Sequence, residues 1–332
     1  MSDYTRVYFE GLGIDFDLPS VAFTIFGHDV HWYGIIIAFG FILAVLYGGR
    51  MAYKWKMSLD GMTDVLIWGT ILGIICARLY YVVFEWSYYK DHLAEIPQIW
   101  NGGIAIYGGI IGALIGAAIG CKTGKINFPN LLDLGALGLL IGQGIGRWGN
   151  FFNQEAFGTN TTTSLFRMWS VKIQQTLEAT ADSLAQKGIE VDPDLPVHPT
   201  FLYESVWCIL GFFILNHIVQ KHRKFKGEVF LLYGVWYGLE RAVVEGMRTD
   251  SLYIGDTTLR VSQLLSMVVV VVFAVALVVC FVKLKKGTLW KALLLDTDTP
   301  NTESTVSGDT PQKEENTEIK NEITENKNGT DN

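Results

Sequence analysis

The sequence predicts an all-α polytopic membrane protein, with seven transmembrane helices and a small extracytoplasmic cap. Three observations carry that reading. Half of the 332 residues are hydrophobic, a high share for a soluble chain of this length. Seven stretches near 20 residues long are apolar enough to cross a hydrocarbon layer of about 30 Å. The loops joining them alternate between rich and poor in Lys and Arg, the pattern of a chain threading back and forth.

The outer N-terminal segment, 1–30, carries no basic leader and no small-residue cleavage site, so no cleavable signal peptide is expected. Within it, residues 21–26 (VAFTIF) alternate weakly and form either a short hairpin or an interfacial stretch. The spans follow at 31–52, 62–84, 103–121, 129–146, 201–219, 229–247 and 261–282. Basic loops come after the first (Arg50, Lys54, Lys56), third (Lys122, Lys125), fifth (Lys221, Arg223, Lys224, Lys226) and seventh (Lys283, Lys285, Lys286). In the alternate loops Lys90 is offset by Asp91 and Glu95, and Arg248 and Arg260 by Asp250 and Asp256. This asymmetry puts the N-terminus outside and the C-terminus in the cytoplasm. The third span has Gly108, Gly112, Gly116 and Gly120 on one face, and the fourth has Gly138, Gly142 and Gly146; both faces read as tight helix-packing surfaces.

Residues 159–197 are mainly polar and are read as an extracytoplasmic cap inserted into the catalytic domain at 31–285. A helical pattern at 165–187 (Val171, Ile173, Leu177) ends at Gly188. The tail at 286–332 is expected to be disordered, acidic and cytoplasmic. From residue 296 onward it has ten acids against three lysines, which is the whole net charge of −7. The body is therefore near neutral, and no nucleic-acid partner is implied. Cys76, Cys121, Cys208 and Cys280 fall within or at the ends of spans without a CxxC pair. They read as packing residues, and neither a metal nor a cofactor is expected.

The chemistry concentrates at 146–158 (GRWGNFFNQEAFG), where the fourth span meets a polar loop. Arg147, Asn150, Asn153, Gln154 and Glu155 crowd a bilayer boundary, which is costly unless they have partners or a ligand. In the sixth span Tyr237, Arg241, Glu245 and Arg248 share one face at about 100° per residue. A structural Arg241–Glu245 salt bridge accounts for only half of that stripe. At about 1.5 Å per residue, Arg241 lies about 20 Å along its span and Arg147 about 27 Å along its own. Both fall in the outer half, together with Arg78, Tyr81, Tyr107 and the 31–34 segment (HWYG). Arginines in a low-dielectric pocket call for an anion, in a membrane a lipid phosphate. They would also offset charge growing on a departing phosphate, which suits displacement at the carbon beside a phosphodiester.

These residues resemble the bacterial prolipoprotein diacylglyceryl transferase family. Residues 146–158 match its G-R-x-G-N-F-x-N-x-E-x-x-G signature at every fixed position. The likeness extends through 31–34, 73–84, 100–109, 198–204 (HPTFLYE) and 237–248, and covers nearly all of the chain to about residue 285. It implies a multi-pass enzyme of the bacterial cell membrane. Such an enzyme moves the diacylglyceryl group of phosphatidylglycerol onto the lipobox cysteine of a prolipoprotein signal peptide. A thioether forms and glycerol 1-phosphate leaves. Carried over, Arg147 and Arg241 hold the phosphate and Glu245 orients Arg241. Asn150 and Glu155 orient the loop and head group, and Tyr33 and Tyr237 line the pocket. Arg78, Asn153 and Arg248 are added as substrate-binding residues.

One position departs from the family. Many members have a His before the Gly-Gly of the third span, where this chain reads Ile106-Tyr107-Gly108-Gly109. A thiol of pKa about 8.5 needs help toward thiolate. Tyr107 is expected in the site, as base or as a hydrogen-bonding wall; the positive pocket, His31 and His198 are the alternatives. A transporter would show repeats and midplane polar groups, and a receptor or scaffold leaves Arg147, Arg241 and Glu245 without a task.

Overall fold

The computed structural model describes residues 6–253, 257 and 259–295. The expected acidic tail from residue 296 onward lies outside the described residues. The chain opens with two hairpins, β1 (Arg6–Phe9) with β2 (Ile14–Asp17) and β3 (Val21–Ile25) with β4 (His28–His31). Phe26 and Gly27 turn the second hairpin with φ of 50° and 80°, the positive values a tight two-residue turn requires. Of the two readings of 21–26, the hairpin is the one seen.

The helices follow as α1 (Trp32–Lys54), α2 (Leu59–Phe84), α3 (Trp86–Tyr89), α4 (Ile106–Thr123) and α5 (Phe128–Asn153). Then come β5 (Met168–Trp169), α6 (Val171–Ala185), α7 (Thr200–Phe213), α8 (Gln220–His222), α9 (Glu228–Glu245) and α10 (Val261–Lys285). Side-chain oxygens start three of them: Ser58 caps α2, Asn127 caps α5 and Ser170 caps α6, each accepting from an N–H three residues on at 3.1 Å.

Five helices, α1, α2, α4, α5 and α10, are long and apolar enough to cross a membrane. The other two expected spans are less regular. The fifth is α-helical only to Phe213, then widens into a π-turn over Ile214–Val219. The sixth, α9, carries Glu228, Glu240, Arg241 and Glu245 in 18 residues. The fold is also not purely helical. β1 pairs with β2 on one side and with β5 on the other, so the N-terminal segment and residues 159–197 share one sheet rather than forming separate pieces. Long-range pairing of this kind leaves no local sequence signal. Val7, Phe9, Met168, Ile173 and Leu177 bury against Phe151 of α5 and Phe201 of α7 in one apolar cluster.

The helix interfaces differ in how closely the backbones approach. α4 lies against α2 with its glycines in contact with backbone: a Cβ on Gly112 would stand 2.7 Å from the Leu72 carbonyl carbon and the Cys76 Cβ. On α5 the expected glycine face is much looser. A Cβ at Gly138 would make an ordinary 3.7 Å contact with Ala44, and one at Gly142 would meet nothing within 4 Å. At the start of α5, buried Asp133 accepts from Arg223 Nη1 (3.0 Å) and from the N–H groups of Gly227 (2.8 Å) and Phe230 (2.9 Å). It thereby satisfies otherwise orphan donors at the N-terminus of α9.

Gly112→Val should therefore separate α2 from α4, at an overpacking cost of at least about 1–3 kcal/mol. Gly142→Ala should be tolerated. Thermal unfolding of the two variants in detergent checks this; equal midpoints would refute it.

Candidate active site

The site is built where α5, α7 and α9 meet. Ser205 of α7 donates to the Gly144 carbonyl (2.8 Å) and accepts from Trp148 Nε1 (3.1 Å). Phe151 stacks on Phe201 at 4.6 Å. Trp207 and Trp236 stack at 4.5 Å, each indole N–H donating to the other's carbonyl at 3.1 Å. These contacts fix the three helices at the level of Arg147.

At that level Arg147 Nη2 meets Glu204 Oε1 at 3.0 Å, and Arg241 Nη1 meets the same oxygen at 3.0 Å. Arg241 Nη2 reaches Glu245 Oε2 at 2.6 Å. The two carboxylates are 1% and 2% exposed, while the arginines retain 19% and 17%. The acids are thus sealed, while the arginine side chains keep partial access. Tyr237 lies in the field of both arginines, stacked on Tyr233 at 5.8 Å. Tyr33 of α1 covers the same helix end, since a Cβ on Gly149 would stand 2.7 Å from its Cδ2.

The loop after α5 is held from two sides. Gln154 turns left-handed at φ 48°, and its Oε1 accepts from the Ser170 hydroxyl at 2.7 Å. Asn150 and Asn153 donate to one oxygen of exposed Glu155, at 3.1 and 3.4 Å. Gly158 N–H donates to the His198 carbonyl (2.9 Å) and Thr159 N–H to that of Met247 (2.7 Å). Thr200 donates to the Ala156 carbonyl, and Arg260 to that of Glu245. The signature loop, the approach to α7 and the end of α9 are therefore one clasp.

The structure brings together Arg147, Tyr237, Arg241 and Glu245, with Asn150, Asn153 and Glu155 as a hydrogen-bonded group at the helix end, while Tyr33 lies against Gly149 on another side of α5. Three expected residues are placed otherwise. Arg78 is buried with its guanidinium engaged by the carbonyls of Glu95, Ile96, Gly102 and Gly103 at 2.7–2.8 Å. Four of its five donors are used, so it anchors the 93–103 loop rather than offering a free fork to substrate. Arg248 is not on the helical stripe, because α9 ends at Glu245; it grips Asp250 through Nε (2.8 Å) and Nη2 (2.6 Å). Burial works against the Asp250 charge, but those bonds prevail and hold its carboxyl below the usual carboxylate range. Tyr107 is half-exposed near the start of α4, its ring 6.5 Å from that of Tyr80. Among the described residues no contact joins it to either arginine. His198, with its imidazole pushed down by burial, meets the Tyr203 hydroxyl at 3.1 Å.

Sequence reading missed Glu204, although it lies in the matched 198–204 segment. Charge balance was the available signal, since two membrane-embedded arginines and one Glu245 leave a charge unpaired.

A helical body with spanning segments and ion pairs between its helices is that of a multi-pass membrane protein. The chain belongs to the prolipoprotein diacylglyceryl transferase family, whose model matches residues 20–279. It is thus a transferase of the cell membrane acting in lipoprotein biosynthesis. It is 46% identical over 254 residues to the phosphatidylglycerol–prolipoprotein diacylglyceryl transferase of Listeria monocytogenes, covering 76% of this chain and 87% of that one. The Pediococcus pentosaceus enzyme of the same name is 44% identical over 252 residues, 76% and 86% of the two chains. That of Limosilactobacillus reuteri is 42% identical over 281 residues, 84% and 96%.

Removing Glu204 leaves two half-buried arginines without the carboxylate that joins them. Glu204→Ala should cost about 3–5 kcal/mol, read as a lower unfolding midpoint in detergent, with Glu204→Gln intermediate. Wild-type stability in Glu204→Ala would show that the carboxylate does not hold the pair.

Proposed function

We propose that this chain transfers the diacylglyceryl group of phosphatidylglycerol to the lipobox cysteine thiol of prolipoprotein signal peptides. The thiol sulfur attacks the glycerol carbon, a thioether forms, and glycerol 1-phosphate leaves; this is the first step of lipoprotein maturation. The observation that carries the reading is the pair of partly exposed arginines joined through one oxygen of a single buried carboxylate. A phosphodiester held there takes the place of Glu204 on one or both forks. The arginines then meet the charge that grows as the C–O bond breaks, where fixed donors contribute most. Tyr33 and Tyr237 line the pocket. Asn150, Asn153 and Glu155 orient the head group from the loop, and Arg248 supports the rim through Asp250.

The topology we propose has seven spans, with α7 and α9 crossing despite the π-turn and the charges. The N-terminus and cap lie outside and the tail in the cytoplasm. Four basic loops on one side support it, as do the ion pairs that Arg241 of α9 makes with Glu204 and Glu245 inside the protein. The described domains are then the transmembrane catalytic body with an outer cap drawn from both 1–30 and 159–197.

Purified protein in phosphatidylglycerol vesicles with a lipobox peptide should yield thioether-linked diacylglyceryl peptide and free glycerol phosphate. Arg147→Ala should lower the rate by about 10²–10³-fold; undiminished product from that variant sinks the mechanism. For topology, a periplasmic-type reporter such as alkaline phosphatase should be active when fused after residue 189 and inactive after residue 226. Activity at both points would mean that α7 does not cross.

A further inference from the structure

The cluster holds more acid than its arginines need. Arg147 and Arg241 are matched by Glu204 and Glu245, yet α9 adds a third carboxyl, Glu240, buried at 4% exposure. None of the ion pairs described reaches it. Glu204 Oε2 and Glu240 Oε1 are both sealed from solvent with no hydrogen-bond donor among the described residues. Glu204 lies three residues before Trp207 and Glu240 four after Trp236, the stacked pair that joins α7 to α9, and Arg241 beside Glu240 already bonds Glu204, so the two carboxyls sit one turn beyond that stack on facing sides of the helices. Two carboxylates in contact in an apolar interior do not both stay ionised; they share a proton. With one proton between Glu204 and Glu240, the cluster of two arginines and three acids is neutral.

Resting on the reading above, that Arg147 and Arg241 hold the phosphodiester, we propose that Glu204 and Glu240 form one proton-holding unit that relays the thiol's proton to the departing phosphate. Glu204 is one guanidinium away from whatever the arginines bind. When the phosphodiester draws the forks off Glu204, the pair is left with one negative charge and one proton, and takes up the S–H proton. The S–C bond forms, the C–O bond breaks, and its electron pair leaves on the phosphate oxygen. Without a proton that oxygen would bring a second negative charge into a cluster already balanced. The pair returns its proton there, and glycerol phosphate departs as a monoanion. Glu240 acts through Glu204 and is a positioning residue.

The titratable and charged groups near enough to interact with Glu240 include Glu204 and Cys208 from α7, Arg147 from α5, and Tyr233, Tyr237 and Arg241 from its own helix. From the start of α10, Arg260 is spent on the Glu245 carbonyl.

The test uses the full chain in phosphatidylglycerol vesicles with a lipobox peptide. Glu240→Gln keeps shape and hydrogen bonding but cannot pass a proton. It should lower kcat at least about tenfold, leave KM for phosphatidylglycerol within about twofold, and change the pH dependence of kcat. Glu240→Asp should recover part of the rate and the wild-type profile. A Gln variant with the wild-type profile, whether fast or slow, overturns the relay. Independently of any variant, the wild-type protein at neutral pH should show an infrared C=O band of a protonated carboxyl that persists as bulk pH rises; its absence also overturns the proposal. Arg147→Gln is the separating arm. If it transfers normally, the phosphate reading itself fails; if it is inactive while Glu240→Gln is normal, only the relay fails.

Discussion

Two guanidinium groups side by side in an apolar interior repel each other, and a single carboxylate oxygen, Glu204 Oε1, holds this pair at 3.0 Å from each. A buried ion pair adds little net stability, but breaking one is expensive. Much of the surrounding structure serves to keep the three helices that carry these charges in register. The reciprocal Trp207–Trp236 bonds, the Ser205 bridge and the Phe151–Phe201 stack all lie near this level. The same carboxylate that holds the forks also mimics the anion they would bind. The forks are thereby held in place without a bare charge.

The clasp around the signature loop holds those thirteen residues as a unit. Gly149 and Gly158 are small because Tyr33 and His198 press on them; a Cβ at Gly158 would stand 2.8 Å from the His198 Cβ. Gln154 turns the chain and ties the loop to the α6 cap residue Ser170. Helix end, loop and cap thus share hydrogen bonds, and displacing any one would loosen the level at which Arg147 sits.

Most of the helical plan was legible in hydrophobic length alone, and α10 began where expected, at Val261. The third span began three residues late because Gly102 and Gly103 take φ of 85° and 74°, values that end regular structure rather than start it. The helical period placed Tyr237, Arg241 and Glu245 together correctly. It could not supply Glu204, which arrives from another helix, nor reveal that Arg78 is consumed by loop carbonyls, since backbone acceptors leave no trace in composition. The β1–β5 pairing was invisible for a similar reason: its two strands lie about 160 residues apart and are held by main-chain bonds.

That pairing also orders events during synthesis. Residues 6–9 leave the ribosome long before 168–169, and four spanning helices, α1, α2, α4 and α5, lie between them. An even number of crossings returns the chain to the side from which it started, so the two strands can meet. Until then the first hairpin has one edge without its partner and a face, Val7 and Phe9, without its core. The N-terminal strand is thus made well before it can be locked, and its closure follows the insertion of the helices between.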